Sequence, residues 1–169
     1  MSTVGTPKSP EQIQHDWDTR FQQEGATARV SVSEDAPVFG ADKALLRRVF
    51  GNLIQNALTH SPRSVTLELS ARRDGDAVLL TVADNGPGIP PQYHELIFRK
   101  FEQVKTPHAP RVRSSGLGLA FCKLVVDAHG GRIWVQSSEG AGSAFHISLP
   151  QHPPRRSDDG AARGWAAGS

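Results

Sequence analysis

The run TVADNGPGIP, from Thr81 to Pro90, ends an apolar strand-like segment on a carboxylate and follows it with a loop of glycine and proline. Glycine reaches backbone angles that other residues avoid and lets a second group approach the main chain closely, whereas proline fixes its own angle and donates no hydrogen bond. A tight turn at a strand end is one interpretation. The other is a shaped loop that holds Asp84 as an acceptor, because an ionised aspartate only accepts hydrogen bonds.

Two asparagines one helical turn apart are the second candidate. At 100° per residue, the segment from Asp42 to His60 forms a helix with a broad apolar face, and Asn52 and Asn56 lie together at the edge of that face. Asparagine is a mediocre helix former, because its side chain competes for the backbone. The two residues are either solvated surface amides or a rim of amide oxygens, and such an oxygen completes the octahedral shell of Mg²⁺ beside phosphate oxygens.

A third pattern, SSGLGLAFCK, places Gly116 and Gly118 at the start of a predicted helix that runs from Gly116 to His129. The free N–H groups and the positive dipole end of such a helix suit phosphate. Glycines also open helices for packing reasons, and no P-loop lysine follows here. This pattern alone is therefore weak evidence.

The segment from Arg99 to Ser115 leads into that helix and carries five basic residues against one acidic residue. Pro107 and Pro110 break any regular structure in it. It is either a solvated loop or a mobile, positive lid that closes over a polyphosphate. Together the patterns predict a nucleotide site, in which Asp84 accepts a hydrogen bond from an amino group such as that of adenine while Asn56 and the Gly116 helix hold metal and phosphates.

These residues need a scaffold, and the periodicity predicts one. Alternating patterns indicate at least five strands, at 28–33, in two parts of 65–82 around an Asp-Gly turn, at 132–136 and at 143–149. Helical patterns occupy 42–60 and 116–129, the second closed by Gly130-Gly131, and a short helix follows Ser9 with Ile13, Trp17 and Phe21 on one stripe. We therefore expect an α/β two-layer sandwich, with a mixed sheet of five or more strands and about three helices on one face.

Length and composition set the limits. At 169 residues with 37% apolar side chains, the chain suits one domain, predicted at 9–150 between disordered tails at 1–8 and 151–169. A net charge of +2 gives no support for nucleic-acid binding, and no apolar run has membrane-spanning length. The single cysteine, Cys122, excludes an internal disulfide framework and fits a reducing compartment. A cytoplasmic segment is expected.

The motifs also resemble a family, the ATP-binding catalytic domains of two-component sensor histidine kinases, within the gyrase, histidine kinase and MutL ATPase superfamily. The resemblance covers about Phe21 to Pro150 and implies the Bergerat-type ATP-binding fold. Its blocks come in the family's order: RRVFGNLIQNALTHS resembles the N box, DNGPGIP the first glycine box, IFRKFEQV the F box with Phe98 and Phe101, SSGLGLAFCKLVVDAHGG the second glycine box, and EGAGSAFHISLP the last, with Gly140 and Gly142.

The resemblance implies a role for each matched position. Asn56 would coordinate Mg²⁺, and Asn56 and Lys100 would act in catalysis. Asp84 would bind the adenine. The other residues implied at the nucleotide are Asn52, Gly86, Gly88, Ile89, Gly116, Leu117, Gly118, Leu119, Gly142 and Ser143. Two positions depart from the family pattern, since Ser114 stands where a glycine is usual and Thr59 where many members have a phosphate-facing lysine.

The family's phosphoacceptor histidine lies on a separate helical-hairpin dimerisation domain, for which this chain has no room. His15 imitates part of an acceptor box, but Arg20 replaces its usual proline. The sequence therefore predicts a Mg-ATP-binding domain that donates the γ-phosphoryl group to a histidine on a dimerisation domain, with a response regulator downstream. The alternatives are a regulatory ATP-binding module without phosphotransfer and an anti-sigma-type serine kinase.

Overall fold

A computed structural model describes residues 21–23, 25–61, 64–102 and 116–152. The strands are β1 (Thr27–Val32), β2 (Thr66–Asp74), β3 (Ala77–Asp84), β4 (Arg132–Ser137) and β5 (Ser143–Pro150), and the α-helices are α1 (Lys43–His60) and α2 (Gly118–Ala128). Two 3₁₀ helices, Pro91–Tyr93 and Leu96–Phe98, follow β3. Of the predicted helix after Ser9, the structure describes only residues 21–23, which are helical, with Phe21 buried. Of the predicted tails, it describes only residues 151–152.

The five strands form one mixed sheet in the order β1-β2-β3-β5-β4. β1 pairs with β2 in parallel, and α1 is the crossover that parallel pairing requires, whereas all the other pairs are antiparallel. Side chains on one face of the sheet pack against α1 and α2, which gives the two-layer α/β sandwich that the periodicity predicts. Asp84 lies opposite Ser143 on the neighbouring strand, so the end of β3 and the start of β5 meet at one end of the sheet.

Helix α1 forms where the apolar period predicts it. Asp42 caps its first turn, because its carboxylate accepts a hydrogen bond of 3.0 Å from the backbone N–H of Leu45. Five side chains of the predicted apolar face are fully buried: Leu46, Val49, Leu53, Ile54 and Ala57. Asn52 and Asn56 are half-buried, at the edge of that face. Both amides are therefore partly shielded from solvent at the edge of the packed face.

Helix α2 begins two residues later than the sequence indicates. Gly116 has a φ of +68°, which a right-handed helix cannot contain, so the helix starts at Gly118. At the other end the predicted glycine cap is confirmed, since Gly130 has a φ of +71° and the N–H of Gly131 bonds the Val126 carbonyl at 3.0 Å.

His129, just after α2, ties the two helices together. Its Nδ1 donates to the carbonyl of Val125 at 2.7 Å, and its Nε2 accepts from the backbone N–H of Asp42 at 3.0 Å. These roles follow from the partners, because a carbonyl only accepts and an amide N–H only donates. The end of α2 is thereby bonded to the residue that caps α1.

The core lies between the helices and the inner face of the sheet. Leu53, Phe145 and Ile147 are among its most deeply buried side chains. Cys122 is also buried there, and burial raises the pKa of its thiol to about 12, so this cysteine is a packing residue and not a nucleophile. Among the described residues, no helix combines the length and the apolar character needed to cross a membrane.

Candidate functional site

The Asp84 carboxylate is fixed at the end of β3 by its own loop. Its Oδ1 accepts a hydrogen bond of 2.9 Å from the backbone N–H of Gly86. A Cβ at Gly86 would lie 2.8 Å from that same oxygen and would overlap the hydroxyl of Ser61, the residue after α1. Glycine at this position therefore keeps a small space open between the end of β3 and the end of α1, with one carboxylate at its wall.

Two opposed effects act on this carboxylate. Burial raises the pKa of Asp84, and hydrogen bonds from the backbone N–H groups of Gly86 and Ser143 lower it, with burial the larger effect. Such a carboxyl retains an acceptor oxygen in a partly desolvated space. An acceptor of this kind selects ligands that carry a donor, such as an exocyclic amino group.

The loop after Asp84 packs against the β4–β5 hairpin so closely that side chains are excluded. Gly88 and Gly142 have φ values of +79° and +82°, and a Cβ at either would overlap a backbone carbonyl, that of Ser138 for Gly88 and that of Asp84 for Gly142. The hydrogen bond from Gly140 N–H to the Pro87 carbonyl is 2.7 Å long. Glycine is therefore required at Gly88 and Gly142, because the backbones of the two segments are in direct contact.

Ser137, at the end of β4, is the centre of this contact. Its hydroxyl accepts from the N–H of Ile89 at 2.7 Å, donates to the carbonyl of Gly142 at 2.8 Å and lies 2.9 Å from the hydroxyl of Ser143. The Ile89 carbonyl in turn accepts a bond of 2.8 Å from His94 Nε2. Ile89 and Ser143 therefore make their described side-chain and backbone contacts with the loop after β3 and the β4–β5 hairpin, which hold Asp84.

The two asparagines have different surroundings. Asn52 Nδ2 donates to the carbonyl of Gly118 at 3.3 Å, which links α1 to the first residue of α2. Asn56 lies one turn nearer to Asp84 and makes no hydrogen bond with any residue that the structure describes. Asn52 therefore positions the helix start, and Asn56 keeps its amide oxygen available to a ligand.

The start of α2 faces the same space as Asn52. The first N–H groups of α2 lack intrahelical acceptors, as in any α-helix, and the N-cap residue Leu117 supplies no side-chain cap for them. Leu119, in the first turn, packs against the core. Gly116 lies against Phe101, since its carbonyl accepts the Phe101 N–H at 2.9 Å and a Cβ would come within 2.7 Å of the Phe101 Cα.

The F-box segment is anchored at one residue and exposed at the next. The Phe98 ring packs edge-on against Phe145 in the sheet, with 6.2 Å between centroids. Lys100 is exposed and lines a groove with Asn52 and Gly118. Phe101 has a φ of +63° and is 74% exposed. Most of the predicted lid, residues 103–115, lies outside the described residues.

A family model described as histidine kinase-, DNA gyrase B- and HSP90-like ATPase matches residues 41–153. The alginate biosynthesis sensor protein KinB of Pseudomonas aeruginosa is 41% identical over 135 residues, which are 78% of this chain and 22% of KinB. The chain therefore spans about a fifth of that relative's length. This chain belongs to that ATPase family. Within it, the chain is an ATP-binding catalytic domain of the sensor histidine kinase type.

Solved structures of histidine kinases share the fold of this domain. Full-length ShkA in complex with AMPPNP aligns with a TM-score of 0.74 and 27% identity, over 91% of this chain and 32% of ShkA. Histidine kinase ThkA in complex with the response regulator TrrA aligns with a TM-score of 0.69 and 22% identity, over 86% of this chain and 40% of ThkA. The latter likeness shows the fold alone.

The order of the candidate residues along the site can be compared with the parts of ATP, the nucleotide of this family. Asp84 and Ser61 lie at one end of the site, Asn56 in the middle, and Asn52, Gly118 and Lys100 at the other end. The described residues include no cluster of three or more His, Cys, Asp or Glu side chains that could hold a metal. A single free amide oxygen suits Mg²⁺ that is otherwise bound by phosphate oxygens and water.

Sequence reasoning missed four residues that shape the site. They are Ser61 beside Gly86, Ser137 in the hairpin contact, and the pair of Arg48 and Phe121, in which the guanidinium carbon lies 4.4 Å from the ring centroid. The two serines have no sequence signal, because a serine at the end of a helix or strand is common. Arg48 could have been found, since it precedes Asn52 by one helical turn.

Proposed function

We propose that this domain binds Mg-ATP between α1, α2 and the loop after β3, and that it donates the γ-phosphoryl group to a histidine on a separate dimerisation domain. Asp84 accepts a hydrogen bond from the adenine amino group. Asn56 supplies an oxygen ligand to Mg²⁺, and the first N–H groups of α2 bind phosphate. Lys100 contacts the terminal phosphate from the F-box segment.

One observation carries this proposal. The Asp84 carboxylate is held by backbone N–H groups beside a space that a Gly86 side chain would close, and the free amide of Asn56 follows along α1. A base acceptor, a metal ligand and an uncapped helix start lie in the order in which the base, the metal and the phosphates occur in Mg-ATP. The AMPPNP in the related ShkA structure supports a nucleotide of this type.

The reaction is a phosphoryl transfer in which charge is positioned and neutralised. The bond from the γ-phosphorus to the bridging oxygen breaks, and its electron pair stays on ADP. A lone pair of the acceptor imidazole forms the new nitrogen–phosphorus bond, and the other imidazole nitrogen releases its proton to solvent. When bound, Mg²⁺ neutralises phosphate charge. The residues of this chain bind, orient and neutralise the donor, while the attacking group comes from another domain or chain.

The partners follow from this chemistry. The acceptor histidine belongs to a dimerisation domain, in the same parent protein or in another chain, and a response regulator receives the phosphoryl group afterwards. The ThkA structure in complex with the response regulator TrrA supports such a relay. The domain, predicted at 9–150, acts in the cytoplasm, where ATP is present and a free cysteine such as Cys122 stays reduced.

The first test is nucleotide binding by Asp84→Asn. The variant loses a charge-assisted hydrogen bond and gains an N–H donor that can face the adenine amino group, so we expect affinity for Mg-ATP to fall by about 10–100-fold. Asp76→Asn, at the exposed β2–β3 turn, is the matched control and should bind as the parent does. Calorimetry measures both. Equal affinity in parent and Asp84→Asn would refute the base site.

The second test separates a kinase from a regulatory ATP-binding module. The nucleotide-loaded domain should phosphorylate an added dimerisation domain, and the label should be acid-labile, as expected for phosphohistidine. The isolated chain should gain no stable label, since its acceptor-like His15 lies in an incomplete motif. Binding without transfer to any supplied dimerisation domain would favour the regulatory module, and label lost in His15→Ala would contradict the need for a second domain.

A further inference from the structure

An open groove of about 650 Å³ begins at Asn52 and Gly118 and continues between α1 and α2. Three cationic side chains line it, Arg48 from α1, Lys100 from the F-box segment and Lys123 from α2. The carboxylate in the groove, Asp127, is bonded to Lys123 at 3.0 Å. The groove therefore carries a net positive charge next to the uncapped start of α2.

Arg48 is the cation whose position is fixed by packing between the helices. Its guanidinium carbon lies 4.4 Å from the centroid of the Phe121 ring, within the range of a cation–π interaction. Among the residues that the structure describes, Arg48 has no hydrogen bond and no carboxylate partner. The guanidinium is thus oriented by a ring and remains exposed, so its charge is available to an anionic ligand.

The position of Arg48 along α1 indicates what it meets. Asn56, Asn52 and Arg48 follow one another at intervals of four residues on one side of the helix, and each interval is a rise of about 6 Å. Ser61 marks the nucleobase end beyond Asn56, because it lies against Gly86. A phosphate chain that leaves the base and passes Asn56 therefore reaches Arg48 last.

Of the cations that line the groove, Arg48 and Lys100 have no carboxylate partner among the described residues. Thr59, on the other side of Asn56, brings no charge, and its hydroxyl accepts a hydrogen bond of 2.9 Å from Gln55 Nε2. Lys123 is already paired with Asp127. A guanidinium also binds two phosphate oxygens at once, which an ammonium group cannot do with the same geometry.

We propose that Arg48, held in place by the Phe121 ring, binds the terminal phosphoryl group of ATP at the end of the site farthest from the nucleobase. The proposal rests on the nucleotide site described above and adds a residue to it. Arg48 discriminates ATP from ADP, because ADP lacks the group that it contacts. Phe121 is a positioning residue, which acts through Arg48 and does not touch the nucleotide.

The test compares the affinities for Mg-ATP and Mg-ADP by calorimetry. In Arg48→Gln, affinity for Mg-ATP should fall by about tenfold, the loss expected for a hydrogen bond to a charged group, while affinity for Mg-ADP stays within about twofold. Arg48→Lys should be intermediate. Phe121→Leu, which retains an apolar side chain without the ring face, should shift the ratio in the same direction by about threefold. Lys43→Gln, on the same helix outside the groove, is the charge-matched control and should leave the ratio unchanged.

Each outcome has one meaning, provided that circular dichroism melting shows the variants folded. An unchanged ATP-to-ADP ratio in Arg48→Gln, or an equal loss for both nucleotides, overturns the assignment of Arg48. If Asp84→Asn still weakens binding in that case, the nucleotide site stands and only Arg48 is excluded. If the parent domain binds neither nucleotide, the proposed function fails and the role of Arg48 fails with it.

Discussion

The two ends of the nucleotide site differ in what forms them, main chain at one end and side chains at the other. At the nucleobase end, backbone lies directly on backbone, as where Gly142 packs against the Asp84 carbonyl and Gly88 against that of Ser138. At the phosphate end, exposed side chains such as Arg48 and Lys100 project from separate elements into an open groove. One end is fixed by main-chain packing, and the other is shaped by long side chains from separate elements.

This difference follows from what each end must do. The nucleobase end distinguishes one base from others, and fixed acceptors do this best because a misplaced donor then finds no partner. Under the proposed function, the phosphate end releases a group to a second protein, so it has to stay accessible. We therefore expect changes at the first end to affect folding and specificity, and changes at the second to affect the phosphates and leave the fold intact.

The largest expected effect is that of Gly142→Ala. The alanine would have to adopt a φ of +82°, and its Cβ would overlap the Asp84 carbonyl, so the loop must shift. We therefore expect a loss of about 3 kcal/mol in the free energy of unfolding. Gly140→Ala is the matched control, since its φ is +80° but its Cβ meets nothing within 4 Å. It should lose only about 1 kcal/mol. Urea unfolding measures both, and equal losses would mean that the backbone contact contributes little.

The second effect separates the two asparagines. Asn52→Ala removes the bond to the Gly118 carbonyl, so the free energy of unfolding should fall by about 1 kcal/mol. Asn56→Ala removes no described hydrogen bond, so stability should stay within about 0.5 kcal/mol of the parent. The increase in ATP affinity that Mg²⁺ brings should nevertheless drop by about tenfold. If Asn56→Ala binds Mg-ATP as the parent does, Asn56 is not a metal ligand.

The smallest effect is a pH dependence. Because burial raises the pKa of Asp84, its carboxylate takes up a proton above the usual aspartate range, and affinity for Mg-ATP should decline there as the pH falls. The effect on folding has the opposite sign, since a raised pKa favours the protonated folded state: the Asp84 contribution to stability is complete below its unfolded pKa and is lost as the pH rises through its folded pKa.

Asp84→Asn is the control for this pH dependence, because it retains the titration of ATP itself and lacks that of Asp84. Calorimetric titrations of both proteins between about pH 4 and pH 7 give the difference. Parallel pH profiles would show that the Asp84 carboxyl does not titrate in this window. Without nucleotide, the variant should melt at the same temperature as the parent or higher at neutral pH, since it removes a partly buried charge.

Local patterns account for how well the fold was predicted. Alternating strands and the apolar face of α1 depend on residues close in sequence, and the observed bounds of β1 to β5 differ from the predicted ones by a residue or two. The start of α2 was wrong, because the φ of Gly116 depends on contact with Phe101, from which it is separated by the undescribed segment. The predicted roles of individual site residues remain predictions.

The residues that sequence reasoning missed share a physical cause. The Ser137 hydroxyl joins Ile89 to Gly142, and Phe121 of α2 holds Arg48 of α1, so each arrangement exists only once distant segments are packed together. A motif marks the groups that touch a ligand, and it carries little information about the groups that hold them. The sequence therefore identified Asp84 and Asn56 as candidates, and it could not predict the contacts of Ser137 and Phe121 around the site.

The hydrogen bond from the Asp42 N–H to His129 also has a mechanical consequence. Sliding α2 along α1 would break this bond at one end of α2 and the bond between Asn52 and Gly118 at its other end. Both ends of α2 are thus bonded to α1, one at the cap of α1 and the other near its middle. We therefore expect the amides on α1 and the start of α2 to keep their spacing when a partner contacts the exposed side of α2.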